Sequence, residues 1–286
     1  MWNVSTGEDA NSEDLYQHSL PSDRPMVTAS MLRRVRNLNI AALVVQACSG
    51  AAIIALTDPD LKYEWFTTFP SLEPPGTNGN PFIEPTSEKI FAFSTGYLSG
   101  AFLLLSALDH FIVCTFGKSA YNNGLKSNYN VFRWAEYSIS ASLMRIIIAL
   151  LSGIGDITML FLIFGLTSCT MLFGLVFELE NSGSGRLLSE VRWYSFWIGF
   201  IPHFFAWGVI FLYFFETVSR GDPPDFVWSI IFIIFFLDAT FAIVLGLQWL
   251  GKGIFRNYIN GEIAFIILSF TSKNLLAWIN FQGGNR

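Results

Sequence analysis

The chain alternates long apolar stretches with shorter polar segments, and seven of the apolar stretches are long enough to cross a bilayer as helices. A hydrocarbon core needs about 20 predominantly apolar residues in helical form. The pattern therefore predicts an all-α, multi-pass protein of the cell membrane, surrounded by the lipid bilayer. The predicted membrane-spanning helices are residues 37–56, 90–117, 127–152, 157–177, 193–217, 226–250 and 260–281.

The polar segments divide the chain around this predicted helical domain of residues 37–281. Residues 1–36 are the N-terminal segment, whose first 30 residues are polar and acidic and lack the apolar run of a signal peptide, and residues 282–286 form a short tail. The longest connection, residues 57–89, is rich in proline and too polar to span, so we expect a small ordered cap there, such as a hairpin. A Gly-Ile-Gly-Asp turn at residues 153–156 joins the third and fourth helices.

Lysine and arginine are distributed unequally between the two ends of the predicted helices, with eleven at the end that carries the N-terminus and four at the other. The larger set is Arg24, Arg33, Arg34, Arg36, Lys118, Lys126, Arg133, Arg186, Arg192, Lys252 and Arg256. The smaller set is Lys62, Lys89, Arg220 and Arg286. Because cytoplasmic segments carry an excess of these residues, we predict a cytoplasmic N-terminal segment, an extracellular loop at residues 57–89 and an outside C-terminus.

The composition agrees with a membrane protein and argues against several classes of function. Charged residues make up 14% of the chain, whereas soluble domains carry about 25%. The sequence has no basic tract typical of nucleic-acid binding and no metal-ligand spacing, phosphate-binding loop or hydrolase motif. The three cysteines lie in apolar runs, where a free cysteine behaves as a small hydrophobic residue. We expect a protein that is not an enzyme and has neither a metal site nor a nucleic-acid partner.

A single lysine, Lys273, lies within the last apolar stretch, "IILSFTSKNLLAWINF". A lysine at the centre of a membrane helix costs roughly 2.5–3.5 kcal/mol, so such a residue normally has a partner or a function. A structural ion pair between helices is one explanation. The other is chemical, because a lysine in an apolar pocket loses its proton readily and the neutral amine forms a Schiff base with a carbonyl. Ser269, one turn earlier on the same face, is within reach of the amine.

Glu136 is the leading carboxylate partner for Lys273, since a protonated Schiff base inside a membrane needs a negative charge. The third predicted helix contains "RWAEYSISASLM", which places Arg133, Glu136, Ser140 and Met144 along one stripe. We expect Arg133, one turn from the acid, to help hold Glu136 ionised.

The depths of these two residues agree only if the predicted helix boundaries are adjusted. With the boundaries given above, Lys273 is farther from the start of its helix than Glu136 is from the start of its own. Both side chains lean toward the N-terminal ends of their helices, so this lean does not remove the difference. We therefore expect the last helix to start near Glu262 and the third near Leu125.

Other polar and aromatic residues complete the set of candidates. His110 on the second helix has two explanations: a hydrogen bond between helices, or a proton carrier that works with Glu136, since histidine titrates near neutral pH. The fifth and sixth helices are dense in aromatic rings, and many of these rings face lipid. A flat conjugated ligand on Lys273 would nevertheless require such a slot, for which Trp207 and Phe235 are candidates.

Seven spans, a lysine in the last and a carboxylate on the third resemble a retinal-binding rhodopsin. The segments "EYSISASLM" and "SFTSKNLLAW", together with the inside N-terminus, resemble heliorhodopsins. The resemblance implies a photoreceptor in which Lys273 carries all-trans retinal as a protonated Schiff base and Glu136 is its sole counterion. Ser269 would be the hydroxyl beside the Schiff base and Met144 a wall of the retinal pocket. It also implies a homodimer formed through the loop at residues 57–89 and an unknown cytoplasmic signalling partner.

The resemblance also bears on where a released proton would go. His110 matches the histidine that the family carries on its second helix. A second family histidine on the first helix is replaced here by Gln46 in "NIAALVVQACSG". With Ser140 and Arg133, these residues make up the expected Schiff-base environment, and it stays open whether a histidine pair stores the proton.

Additional charges within the membrane are a second departure from the family pattern. Arg145, Glu216 and Asp238 are ionisable residues at or near membrane depth. Because some viral members resemble light-gated proton conductors, the alternative function is a light-gated proton channel or transporter with Glu216 and Asp238 on its path. The structural alternative is a bridge from Arg145 to Asp238 or Asp156.

Overall fold

The computed structural model describes residues 24–70, 85–182 and 188–284. In these ranges the helices are α1 (Ala29–Leu56), α2 (Thr95–Cys114), α3 (Lys118–Lys126), α4 (Val131–Leu151), α5 (Ile157–Asn181), α6 (Tyr194–Ile198), α7 (Phe200–Arg220), α8 (Asp225–Trp249) and α9 (Tyr258–Gly284). Two strands, β1 (Tyr63–Pro70) and β2 (Pro85–Phe93), pair antiparallel. Most of the predicted N-terminal segment, the proline-rich part of the long loop, Arg186 and Arg286 lie outside the described residues.

The prediction of seven membrane-spanning helices is confirmed: α1, α2, α4, α5, α6 with α7, α8 and α9 are each long and apolar enough to cross a membrane. The first helix starts at Ala29, earlier than the predicted residue 37, because the Thr28 hydroxyl caps it by accepting from the Met31 amide at 3.4 Å. Residues 90–93, predicted to be helical, belong to β2 instead, because they pair with β1. The hydropathy pattern also missed α3, which is too polar to resemble a span.

The most deeply buried of the spanning helices is α4, which packs against α2, α5 and α8. Its contact with α5 is close because Gly174 faces the Trp134 ring, which leaves no room for a Cβ atom. Helix α9 packs against α1, α2 and α8. The residues that α2, α4 and α9 direct toward one another are therefore buried within the bundle.

The strands β1 and β2 form a hairpin that rests on the turn between α4 and α5. The Phe66 amide donates to the Gly155 carbonyl at 3.0 Å, next to a register shift between Trp65 and Phe66. The turn needs glycine at Gly153, whose φ is 95°. This end of the bundle is called the hairpin end below.

Asp156 joins the hairpin to the start of α5. Its Oδ1 accepts from the amides of Thr158 at 2.8 Å and Met159 at 3.2 Å, and its Oδ2 accepts from the Thr68 hydroxyl at 2.6 Å. Burial raises the pKa of Asp156, but these hydrogen bonds outweigh that effect and lower it below its ordinary value. A carboxylate with a depressed folded-state pKa contributes stability above its unfolded pKa and loses it as the pH falls through the folded value.

We expect Asp156→Ala to lower the free energy of unfolding by about 1–2 kcal/mol at pH 7, because a helix cap and the link to the hairpin are both removed. The difference from the unsubstituted protein should shrink below about pH 4, where the native carboxylate also becomes protonated. Denaturant unfolding in detergent at both pH values measures this. Asp58→Ala is the control, since within the described part of the chain that exposed carboxylate accepts only a local hydrogen bond from the Asp60 amide at 2.8 Å. A difference that is equal at both pH values would contradict the prediction.

Candidate functional site

Lys273 of α9 and Glu136 of α4 form an ion pair inside the bundle. Lys273 Nζ donates to Glu136 Oε1 at 2.7 Å, to Glu136 Oε2 at 2.8 Å and to Ser106 Oγ at 2.7 Å. The Ser106 hydroxyl in turn donates to Glu136 Oε1 at 2.5 Å. All three residues are buried. The amine thus has three acceptors, and the cost of burying its charge is offset by the carboxylate.

The two helices reach this contact without the shift in their starting points that the sequence pattern requires. The predicted starts near Leu125 and Glu262 are wrong, since α4 begins at Val131 and α9 at Tyr258. The first turn of α4 instead lies level with the second turn of α9, where Glu262 accepts a hydrogen bond from Asn130 at 2.8 Å. This axial offset, together with the flexible lysine stem, closes the gap in depth.

The Arg133 guanidinium lies in a second buried cluster rather than on Glu136. It forms ion pairs with Glu178 of α5 and Glu262 of α9, and these three residues are called the carboxylate cluster below. The Trp134 indole also donates to Glu178, at 2.8 Å. Helical spacing places Arg133 and Glu136 on one stripe, but a long guanidinium side chain binds the carboxylates that neighbouring helices bring to its tip. No local signal in the sequence shows that α5 and α9 supply them.

His110 makes a hydrogen bond that links α2 to α1. Its Nδ1 lies 2.7 Å from Asn39 Oδ1. Gln46, predicted to lie near the site, is fully buried on α1, and its amide atoms have no hydrogen-bond partner among the described residues. The sequence pattern missed both Asn39 and Ser106. Ser106 could be identified as a candidate from its position four residues before His110, because this spacing puts the two residues on one face of α2.

A cavity of about 570 Å³ opens beside the ion pair, walled mainly by α4 to α9. This volume is typical of small-molecule sites, which are concave, mostly apolar and carry a few placed polar groups. Lys273, Ser269 and Ser140 contribute polar groups to its lining. Met144 and Phe235, both predicted as pocket residues, line it as well.

Trp207, the third predicted pocket residue, instead packs against a charged pair. Arg145 donates to Asp238 Oδ2 at 2.5 Å and lies over the Trp207 ring at 4.1 Å, while the Trp207 indole donates to the same oxygen at 3.2 Å. Of the two bridges considered for Arg145, the structure thus contains the one to Asp238. Glu216 lies elsewhere, with its side chain 58% exposed and paired with Arg220 one turn along α7.

This chain is similar to known proteins both in sequence and in fold. The model of the heliorhodopsin family matches residues 35–284. Among solved structures, the chain is similar to the light-driven proton pump LR (Mac) from Leptosphaeria maculans, with a TM-score of 0.62 and 14% identity over 91% of this chain and 97% of that chain. At this identity the likeness shows the fold alone. No curated protein matches the chain at a significant level.

Proposed function

This chain belongs to the heliorhodopsin family, and on that basis we propose that it is a retinal-binding photoreceptor whose light-sensitive centre is Lys273 with Glu136. The observation that carries the proposal is a buried lysine amine that is held by a carboxylate and also lines a cavity of ligand size. An ion pair with a purely structural role does not require such a cavity.

The residues around the cavity fit an all-trans retinal bound covalently to Lys273. Ser140 Oγ is fully buried in the wall and has no hydrogen-bond partner within the described part of the chain, so a ligand can lie beside it. Met144 and Phe235 would form apolar walls along a flat conjugated chain. Retinal, joined to Lys273 Nζ by a C=N bond with release of one water, would supply absorption of visible light and photoisomerisation.

The neighbouring side chains would hold and then receive the proton on Lys273 Nζ. Glu136 places both carboxylate oxygens on this nitrogen, and we propose it as the sole counterion because, among the described residues, no other carboxylate forms an ion pair with Lys273. Ser106 bonds to the nitrogen and to the carboxylate, so it keeps the two aligned. After illumination, the proton would leave Nζ toward Glu136 and the polar groups around His110.

We further propose that the hairpin end is extracellular and the opposite end cytoplasmic, on the basis of the lysine and arginine distribution. The boundary between a cytoplasmic N-terminal segment and the helical domain would then fall within α1. Strand β2 is exposed along nearly its whole length, which leaves an edge on which a second copy can pair. This supports a homodimer formed through the hairpin, with an unknown signalling partner at the cytoplasmic end.

The charged pairs favour a sensor over a proton conductor. A relay must take up and pass on protons, whereas Asp238 is held by Arg145 and Trp207, and Glu216 is paired with Arg220 near one end of the bundle. We expect no light-evoked current under whole-cell voltage clamp with retinal supplied and external pH varied, alongside a visible band that bleaches. A current whose reversal potential follows the proton gradient would establish the conductor instead, and Asp238→Asn and Glu216→Gln would then test its path.

The proposed counterion is tested by Glu136→Gln, which removes the negative charge and keeps the shape. The visible band should disappear at a pH about 1–3 units lower than in the unsubstituted protein, because an adjacent carboxylate helps Lys273 Nζ keep its proton. The measurement is a spectroscopic pH titration of retinal-loaded protein. Glu180→Gln is the control, since Glu180 bonds to Ser195 away from the ion pair. An unchanged titration in Glu136→Gln would show that another group is the counterion.

A further inference from the structure

We propose that Asn39 is a positioning residue that holds His110 with its hydrogen on Nδ1, so that Nε2 is the base that accepts the proton released at Lys273. Tyr121 then connects this pair to Glu262 of the carboxylate cluster. The inference rests on the proposed photoreceptor function, which already directs the proton toward His110, and it names the residue that orients this histidine.

The orientation of the Asn39 amide follows from its other partners. Asn39 Nδ2 lies 3.1 Å from the Val35 carbonyl oxygen and 3.2 Å from the Tyr121 hydroxyl. A backbone carbonyl only accepts hydrogen bonds, so the NH₂ group of the amide must face it. The amide oxygen therefore faces His110 Nδ1 at 2.7 Å. An oxygen acceptor needs a hydrogen on that nitrogen, which leaves Nε2 of the neutral ring with its lone pair.

The far end of the chain of hydrogen bonds fixes its direction. The Tyr121 hydroxyl donates to Glu262 Oε1 at 2.9 Å, so its oxygen is free to accept from Asn39. Every donor from His110 onward therefore points toward the Glu262 carboxylate. Successive hydrogen bonds aligned in this way polarise one another, and a carboxylate at their end favours positive charge at their start. The arrangement thus stabilises His110 after it has taken up a proton.

The same face of α2 brings His110 to the ion pair. Ser106, one turn before His110, contacts both Lys273 Nζ and Glu136. Because residues four apart lie on one face of a helix, the His110 ring is on the side of α2 that carries Ser106 and the ion pair. Asp109 is the neighbouring carboxyl group in the chain and is therefore the competing acceptor. The chain of hydrogen bonds that ends at Glu262 starts at His110 and not at Asp109. This difference favours His110 as the acceptor.

The first test determines the tautomer directly. Retinal-loaded protein labelled with ¹⁵N-histidine in lipid, studied by solid-state NMR in the dark, should show His110 protonated on Nδ1 and bare on Nε2. The chain has only three histidines, and the His110 signals are those that vanish in His110→Gln. Asn39→Leu should shift the ring toward the other tautomer, whereas Tyr121→Phe should leave it unchanged. A hydrogen on Nε2 in the unsubstituted protein, or no change in Asn39→Leu, would overturn the proposal.

The second test measures how fast the proton leaves Lys273 after a flash, from the decay of the visible band. We expect Asn39→Leu to slow this step about tenfold and Tyr121→Phe about threefold, because each loses part of the stabilisation of charged His110. Tyr121→Phe keeps the aromatic ring in place, so it tests the chain of hydrogen bonds even if Asn39→Leu fails to fold.

Two controls separate this role from general damage. Asn280→Leu removes a different buried amide, which bonds to Ser99 and Thr95 at the hairpin end, and should leave the rate unchanged. Asp109→Asn should also leave it unchanged. If Asp109→Asn abolishes the step while the Asn39 and Tyr121 variants behave normally, Asp109 is the acceptor and the proposal is wrong. If the unsubstituted protein forms no visible band, the photoreceptor function itself fails, and the acceptor role of His110 fails with it.

Discussion

Lys273→Arg is expected to abolish the visible absorption band that the protein forms with added retinal. The guanidinium keeps a positive charge beside Glu136, so the ion pair and the packing of α4 against α9 are largely preserved. It does not supply the neutral primary amine that condenses with an aldehyde. The substitution therefore separates covalent attachment from electrostatics, and absorption spectra of purified protein before and after incubation with retinal measure the effect.

Two further variants complete this experiment. Lys273→Ala should also lack the band, while Lys252→Arg, which changes an exposed lysine in the connection between α8 and α9, should retain it fully. Folding of each variant is checked by circular dichroism in detergent. A normal visible band in Lys273→Arg and Lys273→Ala would mean that retinal is bound elsewhere, and the proposed centre would be wrong.

Arg133→Met is expected to have the largest effect on stability, lowering the free energy of unfolding by about 3–5 kcal/mol. The guanidinium is the partner of two buried carboxylates, Glu178 and Glu262, and the apolar replacement leaves both without it. Breaking a buried ion pair by removing one partner is costly, because the remaining charge is neither solvated nor compensated. Denaturant unfolding in detergent, followed by tryptophan fluorescence, measures the loss.

The matched control for this prediction is Arg220→Met, which removes an arginine from the exposed pair with Glu216. Exposed pairs contribute at most about 1 kcal/mol, so this variant should unfold almost normally. Adding Glu178→Gln to Arg133→Met should recover part of the lost stability, since one uncompensated charge is removed. Equal destabilisation by Arg133→Met and Arg220→Met would show that the carboxylate cluster does not stabilise the bundle.

The candidate site shows which of its members a sequence can indicate. Lys273 and Glu136 stand out because an ionisable residue in an apolar run is a local feature, visible without knowledge of neighbouring helices. Ser106 and Asn39 do not stand out, because serine and asparagine are common in membrane helices and acquire significance only through the partners that face them. Helical spacing alone pairs Arg133 with Glu136, and it gives no sign of the carboxylates that α5 and α9 bring to the guanidinium.

The amino-acid sequence alone is enough to predict the seven membrane-spanning helices, the likeness to heliorhodopsins, and the presence of a lysine on the last helix and an acid on the third. These follow from hydropathy and short motifs, both of which are properties of contiguous residues. The axial offset between α4 and α9, the pairing of Arg145 with Asp238 and the hydrogen bonds that lead from His110 to Glu262 become visible only once the helices are packed together. Those depend on how far each helix is shifted and rotated against its neighbours, and packing between distant segments sets these quantities.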